Sequence, residues 1–376
     1  MGRICIGVAL VMALAGAEED SIRPELGAMP TDIGPTYQEI DGTTYGAKPD
    51  ERGPIGGGEG YTEIVTAGDY EVGDLDALLD ALEEAEAGDV IFVEDGAVID
   101  VSTRVYVDDL VLEIPEGVTL AGNRGEDGAP GALIFSDTFE TQPLFEAMGE
   151  DVRVTGLRIR GPDPKRRLYH HRRSRADDYG YYSFPVSQGI QTSHSGLRVD
   201  NCEMAGWSHA AIALRGGTDH KIHHNYIHHN QRQGLGYGVS HREARSLIEY
   251  NLFDANRHSI AASGRPGEAY EARHNVELYV ARSFPFDMHG GRDRGDGTDI
   301  AGDWVKIHNN QFRATDQLAI GIRGVPQEPS TVTNNWFYHE EPGPEVIRPW
   351  PCDEDTNITF EDNAFGSESP AVHEDE

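Results

Sequence analysis

Ile222-x-x-Asn225-x-Ile227, Ile248-x-x-Asn251-x-Phe253, Ile307-x-x-Asn310-x-Phe312, Val332-x-x-Asn335-x-Phe337 and Phe360-x-x-Asn363-x-Phe365 are copies of one unit, apolar-x-x-Asn-x-apolar. Two weaker copies, Ala272-x-x-Asn275 and Val199-x-x-Cys202-x-Met204, fall in step with them. From Asn225 onward, through Asn275, successive asparagines are 26, 24, 35, 25 and 28 residues apart. A recurrence near 25 residues marks a solenoid. Apolar residues two apart point to the same side of a strand and stack on the next turn of chain. An asparagine buried in every turn can hydrogen-bond to its copies above and below. No 3.6-residue periodicity competes with this pattern. The expected fold is all-β: a single-stranded right-handed parallel β-helix over residues 63–366.

Outward from this core, Asp74 to Ala87 spaces Leu75, Leu78, Leu79 and Leu82 as on one helix face. A short N-terminal helix there would cap the open end of the solenoid. Residues 18–62, with Gly56-Gly57-Gly58, read as a flexible leader, and residues 367–376 as an acidic disordered tail. Met1 to Ala17 reads as a secretion signal, with Arg3, the apolar run Ile4 to Leu14 and the small residues Ala15, Gly16 and Ala17. The run is too short for a membrane span. The expected location is therefore extracellular, and the expected state monomeric. Cys202 takes an asparagine slot and reads as a small buried residue, and two cysteines beyond the signal make no disulfide scaffold.

The chain has 65 acidic and 31 basic residues, a formal net charge of -34. Nucleic acid is excluded as a partner by repulsion. Lysine occurs only at Lys48, Lys165, Lys221 and Lys306. A carboxylate surface poor in lysine suits high salt, so a halophilic source is expected.

A second strand recurs about ten residues after each asparagine, as Ala211 to Arg215, Gly238 to Ser240, Ser259 to Ser263, Phe286 to His289 and Ala319 to Arg323. If Ile212, Val239, Ile260, Met288 and Ile320 point inward, Asp287 and His289 lie outside, between small residues and Arg323. Such a trough suits a sugar chain. His258 and Arg265 flank the neighbouring strand and reach the same trough, and Tyr237 offers a proton donor. The insertion Gly290 to Gly302 carries Arg292 and Arg294, which could clamp a carboxylate. Its Asp293, Asp296 and Asp299 are hard oxygen donors of the kind that hold Ca²⁺. An earlier insertion concentrates Lys165, Arg166, Arg167, His170, His171, Arg172, Arg173 and Arg175 with Tyr179, Tyr181 and Tyr182. Arg166, Arg172, Arg173 and Tyr181 are expected to overhang the trough and bind an anionic glycan. His223 shares a row with Glu249, Arg273 and His308, and His224 one with Tyr250, His274 and Asn309; both rows read as solvated charge partners rather than a zinc site.

The asparagine pattern over residues 75–365 resembles the pectin-lyase-like right-handed β-helix proteins. Asp287-Met288-His289 is similar to the Asp-Pro-His strand motif of alginate C5-epimerases, with Met288 in place of proline and Gly290 where an acidic residue usually follows. The resemblance implies action on an acidic, uronate-containing polysaccharide by proton abstraction, as a lyase or C5-epimerase. In that chemistry His289 is base or acid, Asp287 orients it, and Arg265, Arg292 and Arg323 neutralise the uronate carboxylate. Two other readings stay open: an inverting glycoside hydrolase using Asp287 with Asp293 or Asp303, and a glycan-binding surface protein without catalysis.

Overall fold

The computed structural model describes residues 29–30, 32–176 and 184–366. The signal segment, Tyr179, Tyr181, Tyr182 and the acidic tail lie outside them. Among the described residues, the chain winds into three parallel sheets of eleven, ten and nine strands, each strand pairing with its counterpart one coil away. This is a right-handed parallel β-helix, as the repeat predicts.

The asparagines form the expected ladder. Asn251 Nδ2 donates to Asn275 Oδ1 at 3.0 Å, to Ile222 O at 2.8 Å and to Glu249 O at 3.0 Å, while its Oδ1 accepts from Asn225 N at 3.0 Å. The same bonds link Asn275 to Asn310, Asn310 to Asn335 and Asn335 to Asn363. The residue before each rung's asparagine turns the corner in the left-handed region, as at His224, Tyr250, His274, Asn309 and Asn334. That geometry turns backbone groups inward, and the asparagine amide satisfies them. Cys202 holds its slot: its N–H donates to Asn225 Oδ1 at 2.9 Å, and its thiol is fully buried. A second ladder, not expected from the sequence, runs at the next corner, where Asn230 Nδ2 donates to Asn256 Oδ1 at 2.9 Å.

Inside the coil, Phe286 meets Phe312 edge to face, and Phe312, Phe337 and Phe365 stack in succession. Glu277 puts a carboxyl among these rings. It lies between Phe253 and Phe312 in register, 1 % exposed, and its Oε2 accepts from Ser259 Oγ at 2.6 Å. Burial raises its pKa well above the ordinary 4.5, favouring the protonated carboxyl.

The capping helix spans Leu75–Glu84, its N-terminus capped by the Asp74 side chain accepting from Ala77 N at 3.0 Å. Leu78, Ala81 and Leu82 are buried against the first strands of the coil. The helix covers the N-terminal end as expected.

The leader corrects the sequence reading. From residue 33 on it is bonded to the coil rather than loose. A hairpin, Tyr37–Ile40 with Thr43–Gly46, attaches through Gly46 N to Asn334 O at 3.0 Å. Arg52 bridges Asp50 and Glu249, and Tyr61 Oη donates to Asp200 at 2.9 Å. Gly57 sits at φ +67°, where an added Cβ would come within 2.3 Å of His224 O. The glycine run is therefore a close-packing device. It also corrects the histidine rows: His223 stacks on Glu249 in register as expected, but the leader covers both, and burial lowers His223 to about 4. No helix among the described residues is long and apolar enough to cross a membrane.

Candidate functional site

The site lies on the outer face of the nine-stranded sheet. Register places Ala213, Ser240, Ala261, Asp287 and Gly321 in one outward row across successive coils. Each strand ends one outward position later, and the backbone ladder continues through Arg215, Arg242, Ser263, His289 and Arg323. Phe286 and Met288 belong to the core, so alternation sends Asp287 and His289 outward as predicted. Small side chains in the first row leave a cleft of about 300 Å³. Its lining includes Tyr237, Ser240, Ala261, Ser263 and His289, ringed by His209, Arg215, Arg242, Arg265 and Arg294. Four arginines and no carboxylate line it among the described residues. In a chain of net charge -34 that is a strong local inversion.

Behind His289 stands a buried charge cluster. Asp287 is on the outer face yet 0 % exposed, a correction to the solvent-exposed position expected for it. His258, Phe284 and Arg323 surround it. Arg323 grips its carboxylate through Nε at 2.9 Å and through Nη2, and His289 Nε2 approaches Oδ2 at 3.1 Å. Burial alone would raise the Asp287 pKa; the hydrogen bond from His289 and the charge of Arg323 outweigh it and hold the group ionised, well below the usual carboxylate range. An ionised carboxylate only accepts, so His289 Nε2 carries the proton and donates. Nδ1 is left as the basic nitrogen, with Asp293 Oδ2 at 3.9 Å.

His258 is fully buried beneath Tyr237, their rings stacked with centroids 5.8 Å apart. Its Nδ1 donates to Phe284 O at 2.6 Å, and its Nε2 faces Asp287 at 3.6 Å. Burial lowers His258 to about 3, so it is a neutral support at physiological pH. It does not line the cleft. Of the residues read from the sequence as catalytic, the cleft therefore brings together His289, Tyr237 and Arg265, with Asp287, Arg323 and His258 as the supporting layer. Arg265 also pairs with Glu243 at 3.1 Å.

Other expectations fail. Arg292 is exposed on the insertion and does not line the cleft. Arg294 does, though its guanidinium is committed to Ser263 O at 2.8 Å and Gly264 O at 2.6 Å. Asp293, Asp296 and Asp299 do not converge on a Ca²⁺ site. Asp293 faces Arg323 at 3.4 Å, while Asp296 pairs with Arg294 and accepts from Thr298. No group of three or more metal-binding side chains occurs among the described residues. The basic insertion forms a helix, Leu168–Ala176, packed near Phe184 and Arg232. Arg166, Arg172 and Arg173 are not among the residues lining the cleft. Asp303 is held by Arg245, away from Asp287. Sequence reading missed Arg215, Arg242 and His209. The signal was present: Arg215 follows Ala213 at the same two-residue step by which His289 follows Asp287.

The family model for the right handed beta helix region matches residues 183–365. Among solved structures, an alginate lyase from Paenibacillus sp. str. FPU-7 superposes over 79% of this chain and 94% of its own, with TM-score 0.56 and 16% identity. A GH136 lacto-N-biosidase from Eubacterium ramulus superposes over 79% of this chain and 67% of its own, at TM-score 0.41 and 13% identity. The first likeness establishes the β-helix fold shared with a polysaccharide-acting protein; at these identities it carries no residue roles. Comparison with curated proteins finds no match.

Proposed function

We propose that this protein acts on an acidic, uronate-containing glycan by abstracting the proton next to the uronate carboxylate, as a lyase or a C5-epimerase. The observation that carries the reading is the arginine-lined cleft on an otherwise acidic chain. Removing that proton builds negative charge on the carboxylate, which Arg265, one coil from His289, is placed to neutralise, while Arg242 and Arg215 face the carboxylates of the neighbouring units. His289 is the base: Asp287 fixes its Nε2 proton and supports the imidazolium formed when Nδ1 accepts. Tyr237, two coils before His289 and lining the same cleft, supplies the proton for the leaving oxygen in elimination or for the opposite ring face in epimerisation.

Two features weigh against inverting hydrolysis. The lining described has no pair of carboxylates, and Asp287 and Asp293 are both engaged by Arg323. The alginate lyase likeness agrees in fold with the uronate reading. The test is incubation in high salt with a panel of uronic-acid polymers. Ultraviolet absorbance of an unsaturated product identifies a lyase, and a changed proton NMR spectrum at constant chain length identifies an epimerase. New reducing ends without absorbance would overturn the reading in favour of hydrolysis, and no change on any polymer would leave binding alone.

A further inference from the structure

The trough does not run the length of the solenoid. After the coil carrying Asp287, the outward positions are filled. The Phe284 ring lies over Gly321, where an added Cβ would come 2.8 Å from a ring carbon and 3.3 Å from Asp287 Oδ1. The Arg323 guanidinium covers the same ring at 5.7 Å from its centroid, and His258 packs beside it at 5.2 Å. Above this stands the 290–302 insertion, pinned by Arg294 to Ser263 O, Gly264 O and Ile300 O, with Asp293 bridged to Arg323. Gly290 and Gly324 also meet closely: a Cβ on Gly290 would lie 3.1 Å from Gly324 Cα.

The other end is open but changes sign. Arg215 donates to Gln188 and Gln191, and Gln191 donates to Glu146 at 3.3 Å. Register continues the row through Glu146 to Glu113, an exposed carboxylate. A polyanion laid further along that face would meet repulsion. The favourable stretch is thus confined to the strands Ala210–Leu214, Tyr237–His241, His258–Ala262 and Phe286–Met288. Four strands at about 4.8 Å spacing cover about 14 Å, roughly two or three sugar units. A cleft of about 300 Å³ is at the small end for a ligand site.

We infer that the cleft is a dead end that takes the terminus of an acidic glycan, its last uronate seated against His289 and Arg294 of the 290–302 insertion, which Phe284 and Arg323 back from behind. This rests on the acidic-glycan reading and adds to it the mode of attack, at chain ends rather than within chains. Phe284 and Arg294 become determinants of chain-length specificity.

The experiment is calorimetric titration of the full chain with oligouronates of defined length, disaccharide to hexasaccharide, beside their carboxyl-reduced neutral counterparts. The expected result is an affinity that rises by about tenfold up to the trisaccharide and by less than about twofold beyond it. Affinity that keeps climbing to the hexasaccharide would overturn the dead end and leave the acidic-glycan reading standing. Equal binding of neutral oligomers, or binding of none, would overturn both. Phe284→Ala should let the affinity climb past the trisaccharide by removing the wall, and Arg294→Ser should do the same by releasing the insertion. If both variants keep the native melting temperature and the original plateau, the wall is not where the inference puts it.

Discussion

Asp287→Asn keeps the shape of the buried cluster and removes its charge. The carboxylate accepts two bonds from Arg323 and one from His289, and it is fully buried. Removing one member of a buried ion pair costs about 3–5 kcal/mol when the partner stays buried and unpaired. Arg323 is less severely stranded, since its side chain is 21% exposed and keeps Asp293 at 3.4 Å. The discounted loss is about 2–3 kcal/mol. For a chain this size it lowers the melting temperature by about 3–4 °C. Function suffers separately. An asparagine that turns its oxygen to Arg323 turns its amide N–H toward His289 Nε2, so the imidazole proton moves to Nδ1 and the basic nitrogen is lost. General-base catalysis contributes about 10²–10⁴ in rate, and turnover of the responsive uronate polymer should fall by that order. Thermal melting and initial rates, compared with Asp287→Glu, check both halves. A variant with native melting temperature and native rate would refute the assignment of Asp287 as the residue that holds His289.

His289→Ala removes a side chain that is 30% exposed and outside the core, so turnover should drop by about 10²–10⁴ while stability shifts by about 0.5 kcal/mol or less; melting curves and rates on one preparation decide it. Asn251→Leu strands the buried Asn225 N–H and two carbonyls, at a cost of about 3 kcal/mol, whereas Asn363→Leu at the ladder's end should cost about 1 kcal/mol; denaturant titration separates the two. Glu277 has a raised folded pKa, so its contribution to stability is fully present below the unfolded value of 4.5 and is lost as pH rises toward the folded one. Glu277→Gln removes that dependence, and the variant should gain on the native chain as pH increases from 4 to 8; melting temperatures that diverge the other way would show the carboxylate to be ionised in place.

The fold was legible because the ladder asparagines stand among apolar neighbours at a fixed period, and backbone satisfaction at each corner demands them. The second ladder illustrates the limit: Asn230 and Asn256 repeat with the same spacing of 26 as Asn225 and Asn251, but Arg232 and His258 stand two residues on, where the first ladder has an apolar side chain. Alternation placed Asp287 and His289 on the outer face, yet it carries no information on what covers a residue there. Phe284 and Arg323 bury Asp287, and neither contact follows from strand phase. The leader was misread because Gly56, Gly57 and Gly58 are compositionally those of a loose linker, while their use is to bring backbone against Asn201 and His224. The carboxylates of the 290–302 insertion match Ca²⁺ ligands in type, but Arg294 and Arg323 claim them first. Arg215 and Arg242 stand in the same row as His289 and Arg323, but strand phase does not tell which outward cations border a cleft.

The central claim is that the arginine-lined cleft recognises negative charge on a sugar chain. Its most direct test is titration of the native chain and of Arg215→Ser/Arg242→Ser with a uronate oligomer and with the same oligomer after carboxyl reduction. The prediction is binding of the acidic form alone, weakened by about tenfold or more in the double variant, with the melting temperature unchanged. Equal affinity for the reduced oligomer, or a double variant that binds as tightly as the native chain, would contradict it.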